Sequence, residues 1–188
     1  MIEWTADKSG DVHGKLWIEN GIGYLHYYAD GENKVLESLA ISNLLATLTN
    51  NEPLLEQIKE ISALYIDIDD VTSINSGALY CSDKNTQKWI YDILFSHVVE
   101  VDLSSSIISI GDRGFNGLSI ATLVISNKLK SIGAASFSKS EISQIELRPE
   151  DDEYKIEDYT MRSNMTYPDW HTARLTENVY RIADVEPI

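Results

Sequence analysis

The sequence predicts an α+β fold, a largely antiparallel β-sheet packed against two or three helices, in one domain spanning residues 1–188. Three observations carry this. The elements are segregated, with strands first, then helices, a strand, a helix and many strands, where a doubly wound fold would alternate strictly. Several stretches alternate apolar and polar residues with the two-residue period of a half-buried strand, while three windows show helical spacing. No internal repeat and no low-complexity linker is read along the chain, and 188 residues suit one domain with a good core.

The first element expected is a hairpin. Segments 15–19 and 24–28 flank Asn20-Gly21, and an Asn-Gly turn between aromatic-rich segments is a strong short-range hairpin signal. Leu36, Leu39, Ala40, Leu44 and Leu48 then recur at helical spacing. Asn50-Asn51 ends that helix, and Pro53, suited to a first turn, begins a second, shorter one carrying Leu54, Leu55, Ile58 and Ile61. It leads into Ala-Leu-Tyr-Ile-Asp-Ile-Asp (63–69), a strand with Leu64, Ile66 and Ile68 on one side and Tyr65, Asp67 and Asp69 on the other.

Residues 84–97 read as a third helix, capped by Ser82 or Asp83, with Trp89, Ile90, Ile93, Leu94 and His97 along one face. Beyond it the pattern is extended. In 98–103, Val99, Val101 and Leu103 oppose Val98, Glu100 and Asp102. Segments 107–110 and 118–125 are almost wholly apolar, as in strands buried on both faces or paired in a sandwich core. The Gly-Asp-Arg-Gly-Phe-Asn-Gly stretch between them (111–117) reads as a hairpin loop, with Arg113 and Phe115 exposed for contact. Segment 142–147 alternates again, Pro149 and an acidic block mark a loop, and 154–161 and 178–185 are strand-like.

Composition narrows the function classes. Thirty Asp and Glu against fifteen Lys and Arg give a formal net charge of −15. The acids concentrate in 52–70 and 141–158, whereas 113–139 holds Arg113, Lys128, Lys130 and Lys139 and no acid. Such a field repels nucleic acid and anionic lipid and attracts a cationic partner at long range. No apolar run approaches the roughly 18–20 residues that span a bilayer. The first residues show no basic region followed by an apolar core, so a cytoplasmic location is expected. A lone Cys81 and four scattered histidines offer no recurring metal spacing, and no cofactor is expected.

The sharpest enzyme-like signal is Asp67-Ile68-Asp69, directly after an apolar strand. An Asp-x-Asp at a strand end is similar to the nucleophile motif of haloacid-dehalogenase phosphatases, which implies a metal-dependent phosphohydrolase using Asp67 and Asp69. Asp112, closing Ile-Ile-Ser-Ile-Gly-Asp, superficially resembles that family's metal-binding strand end. Asp70 interrupts the first motif, and no acid closes the second where Arg113, Phe115 and Asn116 stand. The plainer reading makes Asp67 and Asp69 the solvated face of a strand and Asp70 the start of a turn.

Tyrosine and tryptophan anchor protein interfaces, and here Tyr154, Tyr159, Tyr167 and Trp170 are interleaved with acids. Size, charge and this segment (149–170) resemble the immunity proteins of bacterial polymorphic toxins, including contact-dependent growth inhibition systems. That resemblance implies a non-enzymatic inhibitor that neutralises a basic toxin domain, often a nuclease, by stoichiometric occlusion. Its candidate contacts are Glu150, Asp151, Asp152, Glu153, Tyr154, Glu157, Asp158 and Tyr159, with Asp67, Asp69 and Asp70 as a second patch. A non-catalytic adaptor subunit is the remaining alternative.

Overall fold

Asn20 and Gly21 both adopt positive φ (52° and 76°), as a two-residue hairpin turn between right-twisted strands requires. They join β2 (Val12–Glu19) to β3 (Ile22–Ala29), paired antiparallel from Glu19↔Ile22 out to Val12↔Ala29. β1 (Ile2–Thr5) adds antiparallel to the outer side of β2. This computed structural model describes residues 1–126, 128–133, 136, 137 and 139–148, and the strand backbone at 174–175, 179–181 and 186–187.

After the short β4 (Val35–Leu36) come α1 (Leu39–Thr49) and α2 (Glu52–Ile58). The Asn51 side chain accepts a hydrogen bond from Leu54 N at 3.2 Å, and Pro53 occupies the first turn, so the break between the helices forms as expected. β5 (Ala63–Asp69) and β6 (Ser73–Ile74) lead to α3 (Lys88–Phe95). This helix starts later than its hydrophobic spacing suggests, and neither Ser82 nor Asp83 caps it. Asn85 Oδ1 accepts from Gln87 N at 2.8 Å, a local bond that holds the chain in a turn. The buried face is also rotated. Ile90, Tyr91, Leu94 and Phe95 point inward, Tyr91 stacks on Phe95 at 4.4 Å, and Trp89 is 49 % exposed.

The sheet departs most from expectation. β7 (Val98–Asp102), β8 (Ser109–Ile110), β9 (Ile120–Ser126), β10 (Ser131–Ile132) and β11 (Glu141–Arg148) do not form a meander. β3–β5, β5–β7, β7–β9 and β9–β11 are all parallel. The intervening short strands form a second sheet, β10-β8-β6-β4, parallel throughout. Each turn of chain therefore runs along the large sheet, crosses to the small one and returns to start the next long strand in the same direction. This is a coil of a solenoid. At the far end β12 (Arg174–Leu175) and β13 (Val179–Arg181) pair parallel with β11, and β14 (Glu186–Pro187) is antiparallel to β13. The largely antiparallel sheet packed on helices is thus corrected to a mixed, β-rich coil with the parallel mode dominant.

An internal repeat, which the sequence reading does not find, is explicit in the register. Glu100 pairs with Thr122 and Thr122 with Gln144, steps of 22 residues. Ser109-Ile110-Gly111 recurs as Ser131-Ile132-Gly133, and Phe115 as Phe137. The coils are joined on the small-sheet side by equivalent bonds, Asn75 N to Leu36 O (2.8 Å), Gly111 N to Ile74 O (2.6 Å) and Gly133 N to Ile110 O (2.7 Å). Leu36, Ile74, Ile110 and Ile132 stack inside, while Ser73 and Ser109 share a hydroxyl bond of 2.8 Å outside.

The segment 111–117 is consequently a coil corner rather than a hairpin loop. Arg113 and Gly117 take positive φ, but Phe115 is fully buried and offers no contact surface. The repeated glycines have a steric cause. A Cβ on Gly133 would stand 2.6 Å from Asp112 N and 2.8 Å from Gly111 C, against backbone that cannot swing aside. Gly133→Ala is therefore expected to destabilise the chain by about 1–3 kcal/mol, the usual cost of overpacking. Urea unfolding would check it. Gly10, with nothing within 4 Å of a Cβ, marks the contrast, since its positive φ alone would resist alanine.

Candidate functional site

Alternation along the long strands sends Leu25, Tyr27, Leu64, Ile66, Ile68, Val101 and Leu123 into the core. The intervening residues of the same strands form the other face of the large sheet. Register sorts that face into rows. Trp17, Tyr24, Tyr65, Glu100, Thr122 and Gln144 make the first, and Lys15, His26, Asp67, Asp102, Val124 and Glu146 the second. His13, Tyr28 and Asp69 begin a third.

The first row is aromatic where it starts. Trp17 and Tyr24 stack with ring centroids 5.3 Å apart and planes 14° from parallel, and Tyr24 and Tyr65 at 5.8 Å and 19°. Adjacent strands lie about 4.8 Å apart, so rings at directly paired positions stack face to face when they stand up from the sheet. All three are half-buried. Across β5 and β7 the row continues into Glu100.

In the second and third rows, His26 Nε2 lies 3.9 Å from Asp67 Oδ2, with the Asp67 side chain 57 % exposed. His13 Nε2 lies 3.0 Å from Asp30 Oδ1, and its ring stacks on Tyr28 at 5.2 Å. The Tyr28 hydroxyl donates to Glu3, which holds the Glu3 carboxyl below the usual carboxylate range; burial opposes this and the Lys15 ammonium adds to it. Lys15 Nζ sits 3.6 Å from Glu3 and 4.6 Å from the Tyr28 ring centroid, so the cation on this side is held among its neighbours.

The sequence-predicted residues divide in three. Asp67 and Asp69 share the face, two residues apart on β5, and Asp69 accepts a hydrogen bond from the Ser105 hydroxyl. Asp70 has left the strand and stands exposed at φ 55°, so it does not belong to the same row. Glu150, Asp151, Asp152, Glu153, Tyr154, Glu157, Asp158 and Tyr159 lie outside the described residues. Missed from sequence were Trp17, Tyr24 and Tyr28, and the grouping of Tyr65 with them and of Asp102 and Glu100 with Asp67. Their shared signal is an outward position on paired strands, which becomes visible only once the register is known.

Chemically, the face presents stacked π-systems beside carboxylates. Asp102 accepts from Ser104 N at 2.8 Å and from its hydroxyl at 2.6 Å. Among the described residues, no group of three or more His, Cys, Asp or Glu is placed to hold a metal ion. Burial pushes the Cys81 thiol up, away from the reactive thiolate. No helix of the described residues is long and apolar enough to cross a membrane.

Comparison with known families finds a match to the BspA type leucine rich repeat region, in 6 copies over residues 88–183, just over half of the chain. No curated protein and no solved structure matches. The match overlaps the three coils whose 22-residue step is seen in the register. It overturns the resemblance to toxin immunity proteins, and with it the description of the chain as a toxin inhibitor of contact-dependent growth inhibition. Size and acidity, the basis of that resemblance, are shared by unrelated folds, whereas a repeated coil is a property of the sequence itself.

Proposed function

The chain belongs to the BspA-type leucine-rich repeat family, and from that premise we propose that it is a protein-binding module whose large-sheet face takes a Lys- or Arg-rich segment of another protein. Solenoids expose extended strand-lined surfaces, and such surfaces are what repeat proteins use for binding. The observation that carries the choice of partner is the continuity of the Trp17–Tyr24–Tyr65 stack with the acids of the neighbouring strands. Aromatic rings provide rigid apolar anchors and attract cations, while carboxylates beside them supply the complementary charge. The overall charge of −15 adds long-range steering toward a basic partner.

The test uses a short Lys/Arg/Tyr peptide as probe and compares two double variants of equal charge change. Asp67→Ser/Asp69→Ser alters the face, whereas Glu56→Ser/Glu60→Ser alters exposed positions on and after α2. The face variant is expected to bind about tenfold more weakly at low salt, from the loss of two nearby charges. The helix variant is expected to change less than about twofold. Equal weakening in both would reduce the binding to net charge and remove the face as the site.

A further inference from the structure

The aromatic row ends at β2. Tyr24 lies between two rings, Trp17 at 5.3 Å and Tyr65 at 5.8 Å, whereas Trp17 has a ring on one side only among the described residues. The cause is the length of β1. Its pairing with β2 stops at Ile2↔Leu16, one residue short of Trp17, and Met1 before it is 83 % exposed. Glu19 stands exposed on the same strand, about 7 Å further along the same face, while Ile18 between them packs toward the core. Lys15 is two residues away in the other direction. Its ammonium is engaged there, 3.6 Å from Glu3 and 4.6 Å from the Tyr28 ring centroid.

From this placement we infer that Trp17 and Glu19 form an arginine anchor at the β2 edge of the docking face, which recognises the basic segment through Arg in preference to Lys. The inference rests on the reading of this face as a site for a basic partner. The face of an aromatic ring carries the negative part of its quadrupole, and Trp attracts cations most strongly. The next layer of the stack would lie about 4.8 Å beyond Trp17, within the roughly 6 Å over which a cation is held above a ring. A guanidinium is planar and continues the stack in that layer. Its edge then carries N–H donors in a fork that matches the Glu19 carboxylate with two parallel hydrogen bonds. An ammonium brings the same charge without a plane or a fork, and it is more strongly hydrated, so it gains less from both groups.

The experiment uses two forms of the peptide probe, equal in length, charge and tyrosine content, one carrying only Arg and the other only Lys. Their affinities are compared at low salt for the native chain, Trp17→Leu and Glu19→Gln. The native chain is expected to favour the Arg form by about five- to tenfold. Trp17→Leu should bring that preference below about twofold, and Glu19→Gln should reduce it by about half. Glu19 is exposed, so its variant tests the anchor without disturbing the fold. Equal binding of the two forms by the native chain, or an Arg preference undiminished in either variant, would overturn the anchor while leaving the docking face intact. Failure of the native chain to bind either form would instead overturn the docking reading, and the anchor with it.

Discussion

Phe115→Ala is expected to lower the unfolding free energy by about 3–5 kcal/mol, the range for a fully buried phenylalanine truncated to alanine. Phe115 and Phe137 are both fully buried and stack with parallel planes, centroids 5.2 Å apart, at equivalent positions of successive coils. The surrounding backbone has little freedom to collapse into the space. Phe115 N donates to Ser136 O at 2.8 Å, and the Ser140 hydroxyl donates to Phe115 O at 2.8 Å, so neighbouring coils hold the corner open. In a solenoid, stability is largely a sum of coil and nearest-neighbour interface contributions, and this substitution removes one interface directly. Phe137→Ala should cost a similar amount, and the double variant less than the sum, because the stacked contact can be lost only once. Ile108→Ala provides the control. Ile108 is 46 % exposed in the same coil, and its truncation should stay within about 0.5 kcal/mol. Urea titrations of the native chain and the four variants read these differences. A Phe115→Ala midpoint no lower than that of Ile108→Ala would contradict a stabilising role for the stacked Phe115–Phe137 pair.

Local chemistry made some elements legible, and long-range pairing hid the others. The β2–β3 hairpin, the Asn51–Pro53 helix start and the alternation of β5 all follow from residues within a few positions of one another. The direction of strand pairing does not. Polar breaks between apolar runs look alike whether the chain reverses in a hairpin or crosses to a second sheet through two residues such as Ser109–Ile110. The repeat was obscured because its early coils are stretched by helices. Paired positions are 41 residues apart from Ile22 to Ala63, and 34 from Leu64 to Val98, before the step settles to 22 at Ile120 and Ile142. The register also shifts between Leu64 and Tyr65, which breaks the simple alternation of 98–103 and turns Val98 as well as Val101 inward. At the site, Asp67 and Asp69 were visible through strand period alone. The aromatic stack was not, since Trp17, Tyr24 and Tyr65 meet only through two different pairings, one antiparallel and local, the other parallel and distant. Density of charge drew attention instead to 150–159, outside the described residues.

Asp7→Asn is expected to remove about 2 kcal/mol of stability at pH 7 and to flatten the acid limb of the stability profile. The carboxylate is nearly fully buried at the base of the β1–β2 loop. Burial alone would raise its affinity for a proton. Hydrogen bonds from the Ser9 hydroxyl, Asn33 Nδ2, Val12 N and Gly10 N outweigh that cost and hold it at about 2, against an ordinary 3.8. Because the folded chain releases this proton more readily than the unfolded one, the stabilisation is complete above about pH 4 and is lost as pH falls through about 2. An amide in the same place can accept with one oxygen only and turns two N–H donors toward Asn33, Gly10 and Val12, leaving buried donors without partners. The loss is positional as well as electrostatic. Asn33, which donates to Asp7, also donates its backbone N–H to Asp11 Oδ2 at 2.9 Å, so this carboxylate ties the antiparallel cap of the solenoid to the loop that enters its first coil. Fraying of β1 would carry Glu3 away from Tyr28 and Lys15, loosening the contacts that anchor Tyr28 beside His13. Stability measured by urea between pH 7 and 2 should therefore show the curves of the native chain and the Asp7→Asn variant converging toward the acid end. Curves that stay parallel throughout would place the carboxylate's contribution elsewhere.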